Sequence, residues 1–423
     1  MMPIPFKVLA ACFLAGCLEI YDFTIFGFLS TILYREYLQF LPPELGILVS
    51  YALFGVGFIF RPLGSIIFGY IGDRFGRKKS FILSSSLMGF ASLTIFALPN
   101  YQTIGYASCV IIVLVRILQG ISVGGEYSGA IIYAVEHAEK AKAGIVGSIV
   151  VSGCMSGVLL ASSVGIFVQK PFMPNEAWRF AFLLGFGLSI ISFFIRQRLQ
   201  ETPQFLALGK NKARQIPLFI GLKSYKLEAG ATLLIAATNG INLYFTTVFL
   251  PKYLSDVLQS DTSYFALMTT SIMVILIPFF GRLSDQIGRA RQTFYGLLIL
   301  AIFDIFMLPI IYHIPQLWLA QLMIVAHALV ASIQSGSMNS YIVEIFPVEC
   351  RFSCSALFYS LGMGVIGGSS PFLAALIVQN AVDMASYYLA MYMSTVTALA
   401  CALTWLVNQK RLDIRGKNAY KAS

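Results

Sequence analysis

Long, nearly continuous runs of apolar residues follow one another along almost the whole chain. Each is about as long as the roughly 20 apolar residues that a helix needs to cross a bilayer. They are too continuous for the short alternating strands of a membrane β-barrel. The pattern predicts an all-α membrane protein with twelve transmembrane helices, at roughly 6–34, 45–72, 80–98, 104–135, 143–169, 177–200, 229–251, 262–281, 292–312, 316–343, 352–379 and 385–408.

Composition supports a lipid environment. Hydrophobic residues make up 58% of the 423 residues and charged residues 11%, and the mean hydropathy is +0.79. Soluble domains are about half apolar and about a quarter charged. A chain this apolar cannot cover its own surface with polar groups, so the lipid bilayer is its expected partner. Soluble multidomain enzymes, secreted disulfide scaffolds and disordered tails are excluded.

One connection is longer and more polar than the others. It runs from Gln200 to Lys226 and contains Lys210, Lys212 and Arg214. It divides the twelve predicted helices into two sets of six. We therefore expect an N-terminal bundle over 1–200, a central loop over 201–227, a C-terminal bundle over 228–409 and a tail over 410–423.

The basic residues predict the orientation of the chain. With a cytoplasmic N-terminus, most of the 29 lysines and arginines, Arg196 among them, lie in cytoplasmic segments. The outer loops hold only Arg35, Lys170, Arg179 and Lys252. Cytoplasmic loops favour Lys and Arg, so we expect both termini in the cytoplasm and a multi-pass protein of a bacterial inner membrane. The net charge of +10 is then a topology signal, and no nucleic-acid partner is expected.

Two turns of the chain are alike at an offset of 212 residues. One follows the second predicted helix and the other follows the eighth, and both carry Gly, Asp, Gly and Arg in register. Glycine permits close packing and positive φ, and aspartate can cap a helix. We take both turns as gating elements, with the candidates Gly69, Asp73, Arg74, Gly76, Arg77, Asp285, Gly288 and Arg289.

These turns resemble the signature of the major facilitator superfamily over essentially the whole chain. Further stretches, Arg116 to Ala130 in the fourth helix and Glu201 to Phe205 after the sixth, resemble its metabolite:proton symporter branch, most closely proline/betaine transporters. The resemblance implies two pseudo-symmetric six-helix bundles, a substrate site near mid-membrane and the proton as coupling ion. The second turn departs from the family pattern at Gln286 and Ala290, so a looser contact is expected there.

Charged residues inside the predicted helices are candidates for function, because each costs about 2.5–3.5 kcal/mol at the bilayer centre on insertion scales. The proton-coupling candidates are Asp22, Glu19, Glu126, Arg116 and Arg61. The family pattern pairs Asp22 with Arg116, whereas a rise of about 1.5 Å per residue brings Arg61 closer to it in depth. A static buried ion pair is the alternative to coupling, and a structural role is favoured for Arg61.

Polar and aromatic residues well inside helices are candidates for binding the substrate. They are Arg116, Gln119, Glu126, Tyr21, Asn242 and Tyr359. The glycines at 120, 124, 125 and 129 leave one side of the fourth helix thin, for packing or for a substrate. For His327 we expect a hydrogen-bonded packing role, and Asp304 is a weaker candidate for function.

The combination predicts a proton-coupled importer of a small zwitterionic solute such as proline, betaine or another amino acid. Buried arginines suit a carboxylate, and aromatics with Glu126 suit an amine. The alternative is an importer of an organic acid of the shikimate, citrate or 2-oxoglutarate type. A proton-driven exporter is less consistent, because its Gly-Pro pair is missing from the fifth helix. No enzyme motif is found, and we expect no metal, no cofactor and a monomer.

Overall fold

Twelve long helices make up most of the structure, as the apolar runs predict. The computed structural model describes residues 6–207, 217–262 and 264–422, and those residues contain no β-strand. The long helices α1 to α12 are Phe6–Phe28, Pro43–Phe75, Arg77–Ala97, Tyr106–His137, Ala143–Val168, Ala177–Gln197, Lys226–Leu258, Phe265–Ile287, Arg289–His313, Leu317–Ile345, Arg351–Asn380 and Ala385–Ala422. All twelve are long and apolar enough to cross a membrane.

Short helices connect some of the long ones. They are Ser30–Tyr37, Tyr101–Ile104, Lys140–Lys142, Pro203–Ala207, Pro217–Ser224 and Val382–Met384. The first predicted run is therefore not one helix, because α1 ends at Phe28 and a separate helix begins at Ser30. Length and apolarity do not reveal such an interruption, since apolar residues such as Phe28, Leu29 and Ile32 continue across it.

Two of the long helices change their winding midway. α7 is π-helical over Phe245–Phe249, and α11 is π-helical over Ser360–Gly367. Such wide turns are rare overall, but those that do occur often lie at functional sites. In α7 the wide turn directly precedes Pro251, which has no backbone N–H to offer the preceding turn. In α11 the segment contains three glycines, which raise the conformational freedom of the backbone.

The chain forms two compact units. Unit 1 comprises Met1–Ala138, Ile149–Pro217 and Arg351–Leu357, and unit 2 comprises Glu139–Ser148, Leu218–Cys350 and Phe358–Ser423. The first turns of α11 thus belong to unit 1, and those of α5 belong to unit 2. The predicted bundle boundaries at 1–200 and 228–409 remain a prediction. Residues 208–216 of the predicted central loop, with Lys210, Lys212 and Arg214, lie outside the described residues.

Glycines bring α2 and α4 into close contact within unit 1. A Cβ atom on Gly64 would lie 1.9 Å from the Ile121 carbonyl oxygen, and one on Gly124 would lie 2.1 Å from the Arg61 carbonyl oxygen. A Cβ on Gly120 would lie 2.4 Å from the Gly57 carbonyl oxygen. Small residues let membrane helices approach backbone to backbone. Of the two roles expected for these α4 glycines, Gly120 and Gly124 therefore serve packing.

Gly64→Ala is expected to destabilise the protein by about 1–3 kcal/mol, the usual cost of overpacking a filled site. The added methyl group meets backbone atoms of α4, which cannot move without shifting the whole helix. Gly55→Ala is the matched control in the same helix, because a Cβ there meets nothing within 4 Å. Thermal unfolding in detergent should show a lower midpoint for Gly64→Ala alone. Equal midpoints for the two variants would contradict this account of the packing.

Candidate functional site

The acidic pair of α1 points into the interior of unit 1. Glu19 and Asp22 are both completely buried. The Asp22 carboxylate accepts hydrogen bonds from the hydroxyls of Ser92 in α3, at 2.9 Å, and Ser189 in α6, at 3.5 Å. A Cβ on Gly185 would lie 1.8 Å from Asp22 Oδ1, so α6 has a glycine where the carboxylate meets its backbone. Asp22 is therefore held by two neutral donors and a closely packed helix.

Glu19 has a different environment from Asp22. Neither of its carboxylate oxygens accepts a hydrogen bond from the described residues. The charges that act on it are those of Glu126, Arg61 and Arg196. A buried ionised carboxylate without a hydrogen bond is costly, so its charge state depends on these neighbours. Glu19 thus belongs electrostatically to the same cluster as Glu126.

One ion pair of this cluster joins α4 and α6. Arg196 Nη2 lies 2.6 Å from Glu126 Oε1, and both side chains are almost completely buried. Arg196 also donates to the Phe81 carbonyl oxygen at 2.8 Å, and its guanidinium lies 3.8 Å from the centre of the Phe81 ring. The second oxygen of Glu126 accepts no hydrogen bond from the described residues.

Arg196, counted among the cytoplasmic charges of the sequence, is completely buried in the last turn of α6. A polar stripe in the sequence indicates its position, because Ser189, Ser192 and Arg196 fall on one face of an otherwise apolar helix. All three are buried. Residues three and four apart share a helix face, and that periodicity is the signal that could have identified it.

The two arginines predicted to be buried are confirmed to be so, but they do not hold Asp22. Arg116 donates to Gln119 Oε1 at 2.6 Å and to the Leu53 carbonyl oxygen at 3.2 Å. Arg61 lies with its guanidinium 5.5 Å from the centre of the Tyr127 ring. The carboxylate of Asp22 is bonded to serines instead. Depth along the helix does not show which way a side chain turns, and for this reason it suggested the wrong partner.

Two phenylalanines and one tyrosine of α1 complete the surroundings. The Arg116 guanidinium lies 4.8 Å from the Phe23 ring centre and 4.2 Å from that of Phe26. Tyr21 is completely buried, and its hydroxyl donates to the Ala181 carbonyl oxygen at 2.8 Å. Tyr21 therefore ties α1 to α6 within the unit 1 core, and its role in binding a substrate stays a prediction.

The candidates of unit 2 lie in two neighbouring polar groups. Asn242 in α7 receives a hydrogen bond from His327 of α10, with 2.8 Å between Oδ1 and Nε2. Tyr359 in α11 contacts Asn239, whose amide nitrogen lies 3.5 Å from the tyrosine oxygen. Ser335 of α10 donates to Asn239 Oδ1 at 3.1 Å. α7 and α10 thus supply amide and hydroxyl groups beside an aromatic ring, which suits a small polar ligand.

The first Gly-Asp-Gly-Arg turn caps the start of α11. The Asp73 carboxylate accepts hydrogen bonds from the backbone N–H groups of Phe352, at 3.1 Å, and Ser353, at 2.8 Å. It also accepts one from Arg77 at 2.8 Å. The first N–H groups of a helix lack partners within the helix, and its dipole favours a negative charge there. Gly69 permits the approach, because its Cβ would lie 2.7 Å from Ser353 Cα.

Glu136, at the end of α4, joins the same group of charges. Arg77 Nε lies 3.3 Å from it, and Arg351 Nη1 lies 3.1 Å from it. The Thr202 hydroxyl donates to it at 2.6 Å. The sequence analysis did not single out Glu136, because a glutamate at a helix end is usually solvated. Four segments of unit 1 meet at this one carboxylate.

The remaining candidates of the first turn have separate roles. Gly76 adopts φ +118°, a left-handed conformation that favours glycine. Glu201 accepts hydrogen bonds from the backbone N–H groups of Arg77 and Lys78, so it caps α3. Arg74 is exposed and bonds the Tyr70 hydroxyl at 2.6 Å. Arg74 therefore lies outside the buried network.

The second turn repeats this arrangement in unit 2. The Asp285 carboxylate accepts hydrogen bonds from the N–H groups of Gly144, at 2.7 Å, and Ile145, at 2.9 Å, at the start of α5. Arg289 bonds Asp285 at 2.7 Å and Glu344 at 2.6 Å. Gly288 adopts φ +98°. These bonds are no longer than those of Asp73, so the expected looser contact does not appear in their lengths.

The described residues contain no group of three or more His, Cys, Asp or Glu side chains that could hold a metal ion. What unit 1 offers instead is a set of buried carboxylates, of which Glu126 pairs with Arg196 and Glu19 lies in the field of the same arginine. Such a set can bind and release protons when water reaches it, and it can exchange one ion pair for another. Unit 2 offers neutral polar groups and a histidine.

Comparisons with known proteins agree with the fold. The Major Facilitator Superfamily profile matches residues 12–351 and 232–422. A proline/betaine transporter of Salmonella typhimurium is 30% identical over 406 residues, which cover 90% of this chain and 80% of the relative. One of Escherichia coli K12 is 29% identical over 407 residues, with the same coverage.

Solved structures of transporters have the same fold. A proton:xylose symporter, XylE, matches with a TM-score of 0.75 at 18% identity, covering 95% of both chains. The human organic anion transporter MFSD10 matches with a TM-score of 0.72 at 16% identity, covering 95% of this chain and 100% of that one. At such identities the likeness concerns the fold alone.

Proposed function

Because this chain belongs to the Major Facilitator Superfamily of membrane transporters, we propose that it imports a small zwitterionic solute, such as proline or betaine, together with protons. The chain is a transporter and not an enzyme. Its relatives named as proline/betaine transporters motivate the substrate class. The proposal further includes a bacterial inner membrane, cytoplasmic termini and a monomer.

The observation that carries the proposal is the uneven pairing of the buried carboxylates in unit 1. Among the described residues, Glu126 has an arginine partner, Asp22 accepts hydrogen bonds from serines, and Glu19 accepts none. An ionised carboxylate in the membrane interior is costly unless it is neutralised. The simplest neutraliser is a proton, and a carboxylate that gains and loses a proton as water reaches it couples transport to the proton gradient.

Coupling also requires that the two ligands influence each other. Arg196 lies within reach of Glu126 and acts electrostatically on Glu19. A substrate carboxylate that approached Arg196 would compete with Glu126 and Glu19 for its positive charge, and a carboxylate deprived of that charge favours its protonated form. Binding of the substrate and binding of the proton would thus be linked through one side chain, as reciprocal coupling in a symporter requires.

The substrate candidates support a zwitterion. Arg116 suits a carboxylate, because a guanidinium can bind one with two parallel hydrogen bonds. Glu126 suits an amine or a quaternary ammonium. Within unit 2 by itself, Asn242 and Tyr359 are candidates that offer neutral polar and aromatic groups. The second candidate substrate is an organic acid, favoured by three buried arginines, Arg61, Arg116 and Arg196. Export in exchange for protons is the less favoured direction.

A ligand screen tests the substrate class. A ligand that binds only the folded state stabilises it by mass action, so purified protein should unfold at a higher temperature with proline or betaine. Shikimate, citrate and 2-oxoglutarate should leave the unfolding temperature unchanged. Stabilisation by an organic acid alone would replace the zwitterion with the second candidate.

The capping aspartates are proposed to act as gates. The Asp73 and Asp285 carboxylates each bond the first turns of a helix that is distant in sequence, so parting those helices breaks charge-assisted hydrogen bonds. These bonds stabilise one conformation over another without touching the solute.

Asp73→Asn is therefore expected to slow transport more than it weakens binding. The amide has no negative charge to hold the α11 N-terminus and Arg77, so the equilibrium between conformations shifts. Arg74→Gln is the matched control, because Arg74 is exposed and outside the network. Transport rates in proteoliposomes and substrate Kd would be compared for both variants. Equal losses of rate and affinity in Asp73→Asn would contradict a gating role.

A further inference from the structure

A second buried acid lies in unit 2, far along the chain from the cluster just described. Asp304 of α9 and His327 of α10 are both almost completely buried. Counting about 1.5 Å per residue, Asp304 lies about 14 Å from the His313 end of α9 and His327 about 15 Å from the Leu317 end of α10. Both side chains therefore lie well inside their membrane spans, at matching depth.

The Asp304 carboxylate is surrounded by polar groups that bond elsewhere. Asn242 of α7 and Thr397 of α12 lie beside it. The Thr397 hydroxyl donates to the Met393 carbonyl oxygen at 2.9 Å, and the Asn242 amide nitrogen donates to that of Thr238 at 2.9 Å. Neither Asp304 oxygen accepts a hydrogen bond from the described residues. The carboxylate therefore has polar neighbours on three helices, all of them neutral or titratable, and no cationic lysine or arginine among them.

His327 is the titratable group that faces Asp304. Its Nε2 lies 3.6 Å from Asp304 Oδ1 and 2.8 Å from Asn242 Oδ1. Because the Asn242 amide nitrogen is a donor to Thr238, its oxygen is the acceptor and His327 Nε2 carries the hydrogen. The other ring nitrogen, Nδ1, has no partner in the described residues. A doubly protonated ring would leave that N–H unsatisfied, so the neutral imidazole fits this site.

We propose that Asp304 is a proton-binding site in unit 2, with the proton on its carboxyl and neutral His327 beside it. An ionised Asp304 beside a neutral imidazole would be a bare charge in the membrane interior, at a cost that protonation removes. Asn242 and Thr397, on the two other helices, contribute no charge.

The protonation states can be measured without transport, so failure here is distinguishable from failure of the proposed function. Infrared spectra of the purified full-length protein at neutral pH would be compared for wild type and Asp304→Asn. We expect a protonated-carboxyl C=O band that shifts in D2O and is lost in the variant. Thr397→Val is the control and should keep the band. No difference between wild type and Asp304→Asn would overturn the proposal.

A second measurement leaves Asp304 intact, in case its variant does not fold. The chain has three histidines, so His137→Gln with His313→Gln leaves His327 as the only one. Nitrogen-15 NMR of labelled histidine should then report a neutral imidazole at neutral pH, with the hydrogen on Nε2. A cationic ring would show a permanent ion pair and overturn the proposal. In the infrared measurement, loss of the protonated-carboxyl C=O band when sodium chloride replaces choline chloride would also overturn it.

Discussion

Asp22→Asn is expected to abolish accumulation of the solute against a gradient while counterflow of labelled for unlabelled solute continues. Asparagine has the shape of the protonated aspartate and can still bond Ser92 and Ser189, so the fold should be kept. It cannot release a proton, however, and a cycle without proton release cannot be driven by the proton gradient. Exchange needs no net proton movement and should survive.

The matched control for Asp22→Asn is Ser92→Ala. It removes the nearest hydrogen bond to the Asp22 carboxylate but leaves the ionisable group in place, so accumulation should be weakened and not lost. Both activities would be measured in proteoliposomes at equal protein content. If Asp22→Asn still concentrates the solute, the coupling role passes to Glu19 or Glu126.

The second large effect is expected at the buried ion pair. Arg196→Gln leaves Glu126 as an uncompensated charge and should destabilise the protein by about 3–5 kcal/mol, the usual cost of breaking a buried pair from one side. The double variant with Glu126→Gln removes both charges and should recover most of that stability. Accumulation should nevertheless stay lost in the double variant, since the link between substrate and proton is gone.

Thermal unfolding of the two single variants and the double variant completes a double-mutant cycle, which isolates the coupling energy of the pair. The more exposed pair Lys142 and Glu139 is the control, because surface ion pairs contribute only about 0–1 kcal/mol. Additive losses at Arg196 and Glu126, or recovery of accumulation in the double variant, would contradict the proposed link.

The positions of the helices follow from the sequence because lipid imposes a strong constraint. A chain that crosses a bilayer must satisfy its backbone hydrogen bonds within helices, so apolar runs of sufficient length translate directly into spans. The wide turns in α7 and α11 did not follow, because they depend on how a backbone adapts locally to Pro251 or to glycines such as Gly362.

The sequence predicted which residues belong to the candidate site better than it predicted which of them pair with each other. Burial of Glu19, Asp22 and Glu126 followed from their place within apolar runs. The pairing of Glu126 with Arg196 did not, because Arg196 was counted among the cytoplasmic charges near the end of α6. Side-chain direction is set by packing between helices, and no spacing within one helix encodes it. The polar stripe of α6 was present in the sequence but unused.

The two Asp caps show the same limit. The repeat of Asp73 and Asp285 at a fixed offset predicted a shared role, and both do cap a helix. Which helix each one caps, α11 for Asp73 and α5 for Asp285, is a long-range contact that the turn itself does not specify.

Proton-driven accumulation by the purified protein tests the central claim most directly. Proteoliposomes with an imposed inward proton gradient would be given labelled proline or betaine, in sodium-free buffer and without ATP. The account predicts accumulation above the external concentration, and its collapse when a protonophore dissipates the gradient. Accumulation that survives the protonophore and depends on sodium would contradict it.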